Sequence, residues 1–260
     1  MKTPVFFFTE ASPYAAPPSV QDTLRKLWAF ALQPKPLKQE HNLLETKLPL
    51  ILQLALIETV LQTVLFISLA LVCSAVGVPY RPTSLIEVFP TNIPFFPLFV
   101  VAVLLAPVTE EMVFRLPLVY ARSFVVVAAL AFMISFGPVV ARAAGAPVWL
   151  MATVALLLVI LLGWYLSSRK WQANMYLLWK RRFGLVFYTS TVLFGLLHLL
   201  NYQGISLPPV LLLLLLLPKF IGGVFLGYTR LRLGMGWAVG LHMFHNLIVL
   251  LLLYGYTVGV

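Results

Sequence analysis

From about Leu48 to the C-terminus, apolar runs long enough to cross a bilayer alternate with short polar segments. A span needs about 20 apolar residues. The first runs from about Leu48 to Val76, and Pro79, Pro82, Pro90 and Pro94 then mark a loop. The second starts near Phe95 and passes Pro107 as one kinked helix ending near Arg122. The third covers about Ser123 to Val139, ended by Gly137-Pro138, and the fourth Pro147 to Leu166. A basic loop follows, with Arg169, Lys170, Lys180, Arg181 and Arg182. The last three run from Leu185 to about Leu200, Pro208 to Tyr228 and Trp237 to Tyr256. The pattern predicts an all-α, polytopic transmembrane helical bundle of about seven spans, without internal repeats. Residues 1–47 are mixed, Pro-bearing and charged, and form an N-terminal tail before a transmembrane domain over residues 48–260. Ser19 to Leu32 carries helix start signals at Ser19 and Asp22. Leu24, Leu27, Trp28 and Ala31 would share one face, with Arg25 and Lys26 off it, as in a helix lying on a membrane surface. A partly ordered tail is the alternative.

Composition narrows the class. The chain is 61% hydrophobic and only 10% charged, against roughly a quarter charged in an ordinary soluble domain. Its net charge of +10 is no nucleic-acid footprint, because the basic residues sit in alternate loops. Lys2, Arg25, Lys26, Lys35, Lys38 and Lys47 precede the first span, and Arg122, the 169–182 cluster, Arg230 and Arg232 fall on the same side. The positive-inside rule then puts the N-terminus in the cytoplasm and the C-terminus outside. Lys219 breaks the pattern within span six; it either snorkels or lines a cavity. The one cysteine, Cys73, excludes an intramolecular disulfide and a cysteine metal site.

After Glu87 the chain has two acidic residues, Glu110 and Glu111, adjacent and within apolar sequence. A carboxylate at the centre of a membrane helix costs about 2.5–3.5 kcal/mol on the lenient insertion scale, so the pair reads as a functional site. Three stretches place two such side chains one turn apart on a helix face: Glu111 with Arg115, Phe194 with His198, and His242 with Asn246. At 1.5 Å per residue, Glu110 lies roughly 16–18 Å from an inner end near Arg122, His198 roughly 20 Å from the inner end of its span and His242 roughly 10–12 Å. All fall in the inner-to-middle zone, provided that the Glu pair sits in one helix ending near Arg122. Carboxylate, imidazole and carboxamide form a set suited to hydrolysis. A carboxylate takes a proton from water while a histidine positions that water, and a second histidine with an asparagine N–H stabilises an oxyanion. The same Glu and His residues could instead ligate Zn²⁺, although the spacing is not His-Glu-x-x-His.

Glu-Glu-x-x-x-Arg at 110–115, Phe-x-x-x-His at 194–198 and His-x-x-x-Asn at 242–246, in this order on separate helices, resemble the three motifs of the CPBP family. That family comprises the CAAX prenyl endopeptidases and the bacterial bacteriocin-processing or abortive-infection membrane proteins. Gly223 to Arg230 also resembles the segment before the last family histidine, and the likeness runs from about Leu98 to Leu250. It implies an intramembrane endopeptidase acting on a peptide or protein substrate at the lipid bilayer. Glu110 would be the general base on a water shared with His198, supported by Glu111 and Arg115, with Phe194 packing beside them. His242 and Asn246 would form the oxyanion site. A metal, if bound, would be zinc on Glu110, His198 and His242. Leu116 stands where glycine is usual in the family, and about Ser123 to Asn174 reads as an inserted helical pair between core segments at about 98–122 and 183–250. Two other readings use the same residues: a non-catalytic scaffold or bacteriocin-immunity protein on the same fold, and a proton-coupled transporter. The missing repeats count against the transporter.

Overall fold

The structure, a computed structural model, describes residues 18–77, 94–143, 145–199 and 209–258. The loop prolines Pro79, Pro82 and Pro90 and the segment between Leu199 and Pro209 lie outside the described residues. All regular structure among the described residues is helical. Helix α1 spans Val20–Leu32, and a π-helical turn at Leu43–Lys47 leads into α2, Leu48–Ala75. The second span is segmented: α3 is Phe95–Phe99, a π-helical stretch covers Val100–Leu105, α4 is Ala106–Phe114, and a 3₁₀ turn covers Leu116–Leu118. Then come α5 (Arg122–Ala143), α6 (Val148–Tyr165), α7 (Arg169–Arg181), α8 (Phe183–Leu197), α9 (Pro209–Arg232) and α10 (Met235–Val258).

Six helical stretches have the length and apolarity to cross a membrane: Leu43–Ala75, Phe95–Leu118, Arg122–Val139, Val148–Tyr165, Val210–Arg232 and Met235–Leu252. The remaining expected span is α8, apolar but only 15 residues long. Large apolar side chains such as Leu52, Leu56, Trp149 and Trp164 stand on the outside, as lipid-facing positions do. The chain is an all-α, multi-pass integral membrane protein.

Three local expectations are corrected. The second span does not continue to Arg122. It breaks at Arg115, because Pro117 lacks the N–H that a further turn requires and disfavours helix in the residue before it. The crossing stretch ends at Val139 as expected, but Gly137-Pro138 does not stop the helix: α5 runs through Pro138 to Ala143, as intramembrane helices tolerate proline. The basic segment 169–182 is largely a helix, α7, with polar and apolar faces, and not a loop.

Packing centres on α9, which contacts α2, α8 and α10. Its approach to α8 depends on absent side chains. A Cβ on Gly227 would lie 2.5 Å from the Phe187 ring, and one on Gly195 of α8 would lie 2.2 Å from the Phe220 ring. Small residues four apart, here Gly223 and Gly227, let membrane helices meet closely without a hydrophobic driving force. Beyond this seam a core of Phe30, Leu54, Leu118, Phe187, Phe225 and Tyr228 fills one end of the bundle.

Helix α1 is part of that core. Ser19 caps it by accepting from the Asp22 N–H at 3.1 Å. It buries Thr23, Leu27 and Phe30, with the Phe30 ring edge-on to Phe187 at 4.8 Å between centroids. Thr23 donates to Gln53 Oε1 at 2.6 Å, and Tyr188 donates to the Ala31 carbonyl at 2.8 Å. Leu24 and Trp28, expected beside Leu27, face outward. The helix therefore has two apolar edges, one on protein and one free. Helix α6 packs chiefly on α5, leaving Leu156, Leu157, Leu158, Ile160 and Leu161 exposed.

Candidate active site

The acidic pair sits on α4, just after a disturbance in the helix that Pro107 makes intelligible. The Ala106 N–H bonds to the Val101 carbonyl, five residues back. That leaves the Ala102 carbonyl without its usual donor. The next amide along belongs to Pro107, which has none. The orphan is taken by Asn246 on α10, whose Nδ2 donates to the Ala102 carbonyl at 2.8 Å. A buried carbonyl left unpaired costs about 1–3 kcal/mol, so Asn246 locks α10 to the segment that carries the Glu pair. One of its two N–H bonds is committed there, and the other remains for chemistry.

Glu111 is fully buried. Its Oε1 lies 3.0 Å from His242 Nδ1 on α10 and 3.7 Å from Arg115 Nε one turn on. Glu110 is partly exposed, and its Oε2 lies 3.7 Å from His242 Nε2. His242 thus stands between the two carboxylates. Glu111 Oε2 and Glu110 Oε2 are buried without a hydrogen-bond partner. The Arg115 guanidinium is 1% exposed and lies 3.9 Å from the centre of the Phe194 ring. Both of its terminal nitrogens lack hydrogen-bond partners, so its charge is met by Glu111 and by the ring face, a contact worth up to about 2 kcal/mol when desolvated. Gly223 makes room for it: a Cβ there would fall 3.3 Å from Arg115 Nη2 and 2.9 Å from Thr191.

Phe194 joins the motifs. Its ring is edge-on to His198 at 4.8 Å and to His242 at 5.8 Å, as well as lying under Arg115. His198 follows the last residue of α8, and its Nδ1 is 2.8 Å from the Phe194 carbonyl. A carbonyl only accepts, so Nδ1 carries the proton and Nε2 keeps its lone pair. The expected residues therefore meet, although span two does not reach Arg122 as one helix. The direct pairing is of Glu110 and Glu111 with His242, and no hydrogen bond or ion pair joins Glu110 to His198 among the described residues.

His198, His242 and Asn246 line a small cleft. Residues outside the three motifs line it too: Glu58 and Gln62 on α2, Lys219 on α9 and His245 on α10. Glu58 is 3% exposed, and its Oε1 lies 4.0 Å from His245 Nδ1. A glutamate ten residues inside the first apolar run carried the same insertion cost that marks Glu110 and Glu111, and that cost was the available signal. Of the two options for Lys219, lining a cavity is the one found. Among the described residues no three His, Cys, Asp or Glu side chains are placed to hold a metal ion.

A buried acid–histidine–acid contact between helices of a multi-pass bundle, opening on a polar cleft, defines a membrane protein equipped for chemistry inside the bilayer. The chain belongs to the Rce1-like family of type II CAAX prenyl endopeptidases, whose family description matches residues 92–248 and so takes in all three motifs. At the level of that family it is a CAAX-protease-like intramembrane endopeptidase. Neither a curated protein nor a solved structure matched the chain.

Proposed function

We propose that this protein hydrolyses a peptide bond near the C-terminus of a membrane-associated, CAAX-type substrate, using water activated by a glutamate. The observation that carries the reading is His242 held between Glu111 and Glu110 at the edge of a cleft that His198 and Asn246 also line. Glu110, the more accessible carboxylate, takes the proton from water and returns it to the leaving amine. His198 orients that water through Nε2, because its Nδ1–H is fixed on the Phe194 carbonyl. Water bridges the two groups, which do not touch. His242 donates through Nε2 to the developing oxyanion when it carries both ring protons. Glu111 supports that state by accepting from Nδ1, as the buried carboxylate of a catalytic triad supports its imidazolium. Arg115 pairs with Glu111 from one turn on, and the second Asn246 N–H adds a donor. The N-terminus faces the cytoplasm, as the basic residues of alternate loops favour.

The test uses purified protein in lipid vesicles and a fluorescent prenylated CAAX peptide. Glu110→Gln keeps the shape but cannot accept the proton, so it should insert and accumulate yet show no cleavage. If Glu110 and His198 serve one water, the Glu110→Gln/His198→Ala double variant should be no worse than the worse single. Near-wild-type cleavage by Glu110→Gln would sink this assignment.

A further inference from the structure

We propose that α7 is a binding surface for the anionic headgroups of phospholipids, a role apart from the cleft and independent of the peptidase reading. Helix α7 follows the crossing helix α6, which ends at Tyr165, and leads through Arg182 into α8 at Phe183. At 13 residues it rises about 20 Å, too little to cross a hydrocarbon core of about 30 Å. It therefore lies along the bilayer boundary, where the chain turns back. Aromatic side chains mark that level, as they do at membrane–water interfaces. Trp171 stacks on Tyr165 with 4.8 Å between ring centroids, and the adjacent Trp164 is exposed.

The helix has three sides. Trp179 holds one of them to the bundle: its Nε1 donates to the Pro117 carbonyl at 3.3 Å, and its ring is edge-on to Phe183 at 5.1 Å. Tyr176 completes that side against Tyr120, at 6.0 Å between centroids. Trp171 and Leu178, two turns apart and so on one edge, are exposed apolar groups. Lys170 and Arg181 lie on a further exposed edge, with Leu177 between them and Lys180 adjacent. This outline suits an in-plane helix that sinks an apolar edge into the acyl boundary and keeps its cations among the headgroups.

Charge decides what that edge meets. Several other cations have partners within the protein. Arg25 and Lys26 pair with Asp22, and Arg232 pairs with Glu40. Arg122 donates to the Gly163 carbonyl, and Arg230 donates to the Arg115 carbonyl. The side chains of Lys170, Lys180, Arg181 and Arg182 have no hydrogen bond or ion pair among the described residues. Their own helix has no acidic residue, and none follows Glu111 in the chain. Four cations on an amphipathic helix at the membrane boundary attract anionic phospholipid. Because Trp179 and Tyr176 fix the opposite side to the bundle, these cations cannot turn inward to find another partner.

The experiment offers the full-chain protein equal amounts of phosphatidylglycerol and phosphatidylcholine with identical acyl chains in mixed micelles. Native mass spectrometry counts the lipids retained. Each cation near an anionic surface contributes about a fivefold factor, so wild type should retain phosphatidylglycerol over phosphatidylcholine by about tenfold or more. Lys170→Gln/Lys180→Gln/Arg181→Gln should lose that preference, and the charge-keeping Lys170→Arg/Lys180→Arg should retain it. A control with the same loss of charge elsewhere, Arg25→Gln/Lys26→Gln/Lys35→Gln, should behave as wild type. All the exchanged side chains are exposed, so the variants should fold. Equal retention of the two lipids by wild type, a preference that survives in the α7 triple variant, or one lost equally in the control would overturn the assignment. A dimer in the same spectra that the α7 triple variant dissolves would overturn it too, by giving the face to a second copy of the chain.

Discussion

Arg115 is the position where structure and magnitude give the sharpest test. Arg115→Met keeps most of the side-chain volume but removes the cation 3.7 Å from Glu111 Oε1 and the charge lying 3.9 Å over the Phe194 ring. Glu111 has no exposure through which water could replace the lost partner. Removing one member of a buried ion pair costs about 3–5 kcal/mol. At roughly 2–4 °C per kcal/mol for a chain of this size, the midpoint of thermal unfolding should fall by about 6–20 °C. The companion Arg115→Met/Glu111→Gln removes both charges, and replacing a whole buried pair is often nearly neutral. It should therefore be more stable than Arg115→Met alone. Thermal unfolding of detergent-solubilised protein, followed by size-exclusion fluorescence, measures wild type, Arg115→Met, Glu111→Gln and the double variant without requiring activity. Arg115→Met melting within about 2 °C of wild type, or a double variant as destabilised as the two singles added, would refute the pairing.

Other consequences can be checked more briefly. Gly195→Ala places a methyl 2.2 Å from the Phe220 ring; overpacking of this kind costs about 1–3 kcal/mol and should displace His198, whereas Gly240→Ala, with nothing within 4 Å, should match wild type in both melting and cleavage. Because no three-ligand group forms among the described residues, cleavage should persist in EDTA; activity lost to the chelator and regained with Zn²⁺ would contradict this. Reporters fused after Leu166 and after Val260 should lie inside and outside respectively, and a same-side result would remove one span, with the short α8 the first suspect.

The gathering of Glu110, Glu111, Arg115, Phe194, His198, His242 and Asn246 was legible because each polar group stands in apolar sequence and shares a helix face with its neighbour one turn away. Periodicity handles relations within a helix. It does not say which helices touch, and the partner of the acidic pair illustrates this. The family resemblance implied a water shared by Glu110 and His198, while depth placed all the groups in one zone; the widened turn before Pro107 and the Asn246 bond to Ala102 bring α10, and so His242, to the carboxylates. Glu58 was readable by the insertion-cost argument, but its place in the same cleft as His242 depends on how α2 meets α9 and α10. The break at Arg115 had a local signal in Pro117. The continuation of α5 through Pro138 had the opposite one, since a proline that stops a soluble helix need not stop a membrane helix.

Helix α8 rises about 22 Å over its 15 residues, whereas a hydrocarbon core is about 30 Å thick. A segment that falls short is accommodated by thinning of the bilayer around it or by polar groups drawn inward. The last residue of α8 is followed directly by His198, so a shortfall at that end would open beside this histidine. Hydrolysis consumes a water molecule at every turnover, and an oily solvent supplies almost none. An undersized helix brings the aqueous boundary toward the histidine, and the same dip would give a lipid-tethered chain end a way in from the side.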